Sequence, residues 1–244
     1  MGINTFVERG ITMNELLFVG GLLLMLGLMV LSHHLFGKWG LITWVPVTLV
    51  LINILCLKQF SMLGFHISCG ALISASTFTA TDILTECYGK KVAIRAVWVG
   101  LGFGIVVGIL SLIVVRIIPN DFNWIGDSLD KVMELNIRIF IASMIAYTVS
   151  NLLDVHIYSF IGYLTRGKAI WLRNNVATII CNSIDNMVFT TAAYAGSLTL
   201  LQCLTAGFDG SIVDIGTALA DTPFVYLAVW LFKKYRAHYD AINA

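Results

Sequence analysis

The sequence predicts an all-α membrane protein: a polytopic transmembrane helical bundle of about six core helices plus an N-terminal hydrophobic helix. Three observations carry that reading. The 244 residues are 58% hydrophobic and 12% charged, where a soluble globular chain carries about 25% charged residues. Mean hydropathy is +0.87. The apolar residues also fall in seven blocks of roughly bilayer-spanning length, and the short alternating segments of a transmembrane β-barrel are missing. The chain reads as a single transmembrane domain, 1–244, with 14–33 as the extra helix and 40–235 as the core.

The first block, about 14–33, follows the amphipathic stub NTFVERGITMNE. It is long and has no small-x-small cleavage signal, so it is expected to be a retained helix. The second, about 40–57, places Trp39 and Trp44 at an interface and Pro46 near a helix start. The third runs 62–88, and the fourth about 93–118, closed by Pro119. The hydrophilic excursion 119–136 has the spacing of a short amphipathic helix. The fifth block is about 137–163 and the sixth about 171–196. The seventh, 211–232, is expected to be interrupted at Asp221-Thr222-Pro223, because proline removes a backbone donor and biases its predecessor away from α geometry.

Ten of the fifteen basic residues fall on alternate connections: Lys38; Lys90, Lys91 and Arg95; Arg166, Lys168 and Arg173; Lys233, Lys234 and Arg236. The opposite set is Arg9, Lys58, Arg116, Lys131 and Arg138, diluted by Asp121, Asp127, Asp130 and Glu134. The positive-inside rule then puts the C-terminus and the YGKK loop in the cytoplasm. A net charge of +1 gives no reason to expect a nucleic-acid partner. The five cysteines form no C-x-x-C pair and read as small buried hydrophobes.

The informative residues break the apolar pattern. Asp82 and Glu86 are one turn apart on one helix face. A carboxylate at mid-membrane costs about 2.5–3.5 kcal/mol even on the lenient insertion scale, so the pair should face water, a partner or a ligand. Tyr147, Asn151, Asp154 and Tyr158 trace one stripe along the fifth block, suited either to interhelical hydrogen bonding or to the wall of a site. The sixth block opens with Arg173-Asn174-Asn175 and continues through Asn182, Asp185 and Asn186; Arg173 alternatively snorkels to headgroups. The seventh carries Asp214 and Asp221 on one face, with Pro223 at a break that would serve as a gate or as a capped kink. Gly100, Gly104 and Gly108 form a helix-packing stripe, inside the protomer or between two, which admits a homodimer. His66 and His156 stand alone, and no metal or cofactor is expected.

There is no phosphate-binding GxxxxGK[ST] loop, HExxH or GxSxG. An intramembrane enzyme using aspartates stays open on this ground, but asparagine, threonine and tyrosine neighbours suit binding better than catalysis. Acids and amides with Phe78, Tyr147 or Tyr158 as stacking rings suit a flat, nitrogen-rich heterocycle or a cation. The substrate-binding candidates are therefore Asp82, Glu86, Asn151, Asp154, Asn182, Asp185 and Asp221 with those three rings. Arg173, Asn174 and Pro223 are the gating or headgroup candidates.

Thr81-Asp82-Ile83-Leu84-Thr85-Glu86-Cys87-Tyr88-Gly89-Lys90-Lys91 resembles the T-D-x-x-x-E-x-Y-G-[KR]-[KR] signature of the VUT family of queuosine precursor transporters. Arg173-Asn174-Asn175 followed by Asp185, and Asp221-Thr222-Pro223-Phe224-x-Tyr226, resemble its other two motifs. The resemblance implies a cytoplasmic-membrane importer of a 7-deazaguanine (7-cyano- or 7-aminomethyl-7-deazaguanine, or queuine) for salvage into modified tRNA. It also implies that Asp82, Glu86, Asp185 and Asp221 belong to the functional core. The segment 14–33 departs from the shorter family pattern. A rival reading is the substrate-capture subunit of an ATP-driven vitamin importer.

Overall fold

A computed structural model describes residues 13–62, 65–120, 122–124, 126–133, 137–194, 196 and 199–243. The N-terminal stub with Arg9, residues Asp121 and Glu134, and the side chains of His66, Asp127, Lys131 and Arg138 lie outside the described residues.

The chain forms α1 (Met13–Leu55), a hairpin of β1 (Gln59–Met62) and β2 (Phe65–Ser68), then α2 (Ala71–Tyr88), α3 (Lys90–Val114), α4 (Gly126–Met133), α5 (Ile137–Leu164), α6 (Ile170–Tyr194), α7 (Leu200–Lys234) and α8 (Arg236–Asn243). It is an all-α membrane bundle. Four helices (α1, α3, α5 and α7) are each long and apolar enough to cross a membrane. The two long helices that fall short, α2 and α6, are rich in polar residues, with Asp82 and Glu86 on α2 and Asp185 beside four asparagines on α6, and nearly every residue of α2 from Ile73 to Leu84 is buried.

Helix α1 is two arms, not one rod. Gly37 has φ 58° and ψ −136°, a conformation that a side chain would strain. A Cβ at Gly40 would strike the Ser32 carbonyl. The Phe18 ring lies 5.7 Å from that of Phe60, just past the far end of the helix, whereas a straight helix of this length would extend about 60 Å. The arms therefore fold back on each other, and their Leu26, Met29, Leu41 and Val45 share one core with Ile83 and Leu84 of α2 and Val97 of α3.

Three sequence expectations need correction. The third block does not run as helix from 62, because residues 59–62 and 65–68 pair as antiparallel strands with Phe60 opposite Ile67, and helix begins only after Gly70. The connection expected over 196–211 is mostly helix: α7 starts at Leu200, closed by a capping box between Thr199 and Gln202. The break at Pro223 does not occur either. Helix α7 runs unbroken to Lys234, and the Thr222 hydroxyl donates to the Ala218 carbonyl at 3.3 Å beside the proline.

The α1 turn, the α2–α3 junction, the α5–α6 junction and the end of α7 all lie at one end of the bundle. There His33 Nε2 and the Tyr88 hydroxyl are 3.0 Å apart, and α8 docks Tyr239 against His33 with ring centroids 4.8 Å apart. The ten basic residues on alternate connections gather at this end. The β-hairpin and α4 mark the other.

Candidate functional site

Helix α2 packs against α5, α6 and α7, and the polar residues of these four helices meet in three layers along the bundle.

Nearest the β-hairpin is a cavity of about 210 Å³, lined by Phe78 of α2, Asn182, Asp185, Asn186 and Phe189 of α6, and Asp214 of α7 among others. It reaches the surface beside Leu57, which is exposed. A smaller hollow of about 70 Å³ shares Phe78, Asp185 and Phe189 and extends inward to Tyr147 and Asn151. The polar wall is braced from outside. Ser150 donates to Asp185 Oδ1 at 2.7 Å, Asn186 donates to Asp214 Oδ2 at 2.7 Å, and Ser143 donates to Asn53 Oδ1 at 3.0 Å. These contacts hold two carboxylates beside two aromatic rings, a combination that can accept paired N–H groups from the edge of a flat ring and stack on its faces.

One turn further along α2 is a buried acid layer. Asp82, Asp154 and Asp221 have no exposed surface. Asp221 is satisfied: Asn174 Nδ2 donates to Oδ1 at 2.6 Å and Thr79 to Oδ2 at 2.9 Å. Asp154 takes a 3.4 Å bond from Thr81 on Oδ2. Asp82 lies against Asp154, yet neither Asp82 oxygen has a hydrogen-bond partner among the described residues.

The third layer closes the basic end. Arg173 Nη1 meets Glu86 Oε2 at 2.6 Å and Nη2 meets Oε1 at 3.1 Å. The guanidinium stacks over Tyr158 at 5.2 Å and donates to the Gly167 carbonyl at 3.3 Å. Arg173 is 5% exposed, so it does not snorkel to headgroups. Gly162 leaves it room, since a Cβ there would meet Nη1 at 3.1 Å.

The set expected to line one site is thus divided. Phe78, Asn182 and Asp185 line the cavity, and Tyr147 and Asn151 its inner extension. Asp82, Glu86, Asp154, Asp221 and Tyr158 line neither hollow. The Tyr147 hydroxyl is turned to the Val97 carbonyl of α3 at 3.3 Å, and Asn151 Nδ2 is bonded to its own helix at Tyr147 O. Pro223 sits in continuous helix beside Asn175 and Thr222, whose side chains are 2.8 Å apart. The glycine stripe faces α5 of the same chain: Gly100 meets Tyr147, Gly104 meets Met144 and Gly108 meets Phe140. It is therefore not a surface left for a second protomer. His156 is exposed and bonds the Leu152 carbonyl. No group of three or more His, Cys, Asp or Glu side chains with the placement to hold a metal occurs among the described residues.

Sequence reasoning did not single out Asn53, Ser143, Ser150 or Phe189 for the cavity. Asn53 carried a readable signal, a lone amide inside LVLINIL; the small hydroxyls carried none, because serine in a membrane helix commonly bonds its own backbone.

The family described as "Putative vitamin uptake transporter" matches residues 68–228. A protein of Bacillus subtilis (strain 168) named "Probable queuosine precursor transporter" is 26% identical over 202 residues, 82% of this chain and 88% of that protein. A protein of Escherichia coli (strain K12) named "Queuosine precursor transporter" is 29% identical over 146 residues, 58% of this chain and 62% of that protein. No solved structure matches the chain.

Proposed function

The chain belongs to the "Putative vitamin uptake transporter" family, and from that membership we propose that it imports a queuosine precursor across the cytoplasmic membrane. The cargo class is a 7-deazaguanine: the 7-cyano or 7-aminomethyl base, or queuine. The observation that carries the reading is the cavity beside Asp185, with Asn182, Asn186 and the rings of Phe78 and Phe189 in its wall. A guanine-type edge offers N1–H and an exocyclic amine side by side, and a carboxylate accepts both. Ser150 occupies only one lone pair of Asp185 Oδ1, so the carboxylate keeps capacity for that edge. The neighbouring amides serve the ring carbonyl, and the phenyl rings cover its faces.

The basic end, by the positive-inside rule, is cytoplasmic, as is the C-terminus. The cavity then faces outward and the Glu86–Arg173 layer closes the inward path. The whole chain acts as one transmembrane unit, and transport requires the inner closure to part while the cavity closes, as in alternating-access carriers. In this reading the protein is a carrier and its acids and amides serve binding.

The test is uptake of labelled 7-deazaguanines in cells unable to synthesise them. Expression of the chain is expected to restore uptake and Asp185→Asn to abolish it; uptake equal to empty-vector cells contradicts the reading.

A further inference from the structure

We propose that Asp82, Asp154, Asn174 and Thr178 form a binding site for one sodium ion, separate from the cargo cavity. The carboxylates alone would not justify it. The second observation is a pair of buried oxygens on neutral side chains, those of Asn174 and Thr178, that no donor among the described residues reaches.

With both carboxylates ionised, five oxygens in this region have no hydrogen-bond partner among the described residues: both of Asp82, Oδ1 of Asp154, Oδ1 of Asn174 and Oγ1 of Thr178. All four residues are fully buried. More than nine in ten buried polar groups normally find a partner, so five orphans in one layer need an explanation. The orientation of Asn174 is fixed chemically. Its nitrogen donates to Asp221 at 2.6 Å and points to Thr222 at 3.4 Å, and a flipped amide would set oxygen against carboxylate. The amide oxygen is therefore the atom presented to the layer. Thr178 lies one turn along the same face of α6, between Asn174 and Cys181, and the Cys181 thiol lies within electrostatic reach of Asp154 and Asp82.

The orphaned atoms on these four residues are all oxygens, and the nearby cation is largely committed elsewhere: Arg173 spends both terminal nitrogens on Glu86 and keeps only Nε without a partner. Oxygen-only surroundings call for a hard cation. Calcium takes about 6–8 oxygens and magnesium keeps several waters, which a closed layer with five free oxygens does not supply. A shared proton would serve one oxygen each of Asp82 and Asp154 and leave the amide and hydroxyl orphaned. Sodium, which asks for fewer oxygens than calcium and is a hard cation, suits a set of this size that includes neutral amide and hydroxyl oxygens. The site is one helical turn from Phe78 in the cargo cavity, so in the transport reading it is the place for a coupling ion. That role rests on the transport reading, but the binding does not.

The experiment is thermal unfolding and radioactive sodium retention on the purified, cargo-free protein, with sodium, potassium, calcium and N-methylglucamine chlorides compared at constant ionic strength and pH. Sodium is expected to raise the unfolding temperature saturably and alone, with one ion retained per chain. Thr178→Val should weaken the apparent sodium affinity about tenfold, the size expected for one lost oxygen ligand, while Thr178→Ser should restore it. Asp82→Asn should abolish retention; if that variant does not fold, the threonine pair still decides. Equal unfolding temperatures in sodium and potassium, retention no greater than in protein-free samples, or a stabilisation by calcium equal to that by sodium overturns the proposal. Because no cargo is present, a failure here is separate from a failure of deazaguanine uptake.

Discussion

Arg173 grips Glu86 with both terminal nitrogens, at 2.6 and 3.1 Å, and lays its guanidinium over Tyr158. The pair ties α6 to α2 at the end where the basic loops gather. Its two side chains are only 6% and 16% exposed, so water screens it little. Breaking a buried pair from one side leaves an uncompensated charge and costs about 3–5 kcal/mol. Glu86→Gln is therefore expected to lower the unfolding temperature of the purified protein markedly. The double variant Glu86→Gln/Arg173→Gln should recover much of that loss, since two neutral amides leave no stranded charge. In vesicles, the double variant should also leak cargo, because the inner closure is weakened.

The α3–α5 contact depends on missing side chains. A Cβ on Gly104 would lie 2.7 Å from Met144 Sδ and 3.1 Å from a Leu49 methyl, while one on Gly102 meets nothing within 4 Å. Gly104→Leu should destabilise by about 1–3 kcal/mol through overpacking. Gly102→Leu should leave the unfolding temperature nearly unchanged. Paired thermal unfolding curves check both.

Asp185 and Asp221 separate cargo contact from framework. Asp221 takes one protein donor on each oxygen, from Asn174 and Thr79, so Asp221→Ala should reduce folded yield. Asp185 has one protein donor, Ser150. Asp185→Asn should leave folding intact and weaken cargo affinity by about tenfold or more, the worth of a charge-assisted hydrogen bond at about 1.5–3 kcal/mol. Size-exclusion profiles and equilibrium binding of a labelled deazaguanine distinguish the two outcomes.

Much of the bundle could be read from the chain because hydrophobic block length is a strong signal in a membrane protein. The α5 limits followed from it, the excursion helix α4 from apolar spacing in the hydrophilic stretch, and the basic end from the lysines and arginines on alternate connections. The hairpin at 59–68 did not, because its apolar residues continue the third block without a polar break. Pro223 misled for a different reason: it removes the donor to one carbonyl, that of Leu219, and α7 continues through that single loss. The stripe Tyr147, Asn151, Asp154 and Tyr158 shows both the reach and the limit of periodicity. All four are buried on one side of α5, yet they contact three different partners: the α3 backbone, their own helix, and the Asp82 and Glu86 layers of α2. Spacing gives the face; which neighbour stands at each height is a tertiary fact. Glu86 and Arg173, 87 positions apart, could not have been matched by spacing at all.

The central claim is that this chain alone carries a 7-deazaguanine through the bundle by way of the Asp185 cavity. The most direct measurement is entry of a labelled 7-deazaguanine into vesicles holding only the purified protein, compared with vesicles holding Asp185→Asn. The account predicts saturable entry without any ATPase, competed by unlabelled base and lost in the variant. Entry that needs a partner ATPase, or that proceeds equally with Asp185→Asn, would contradict it.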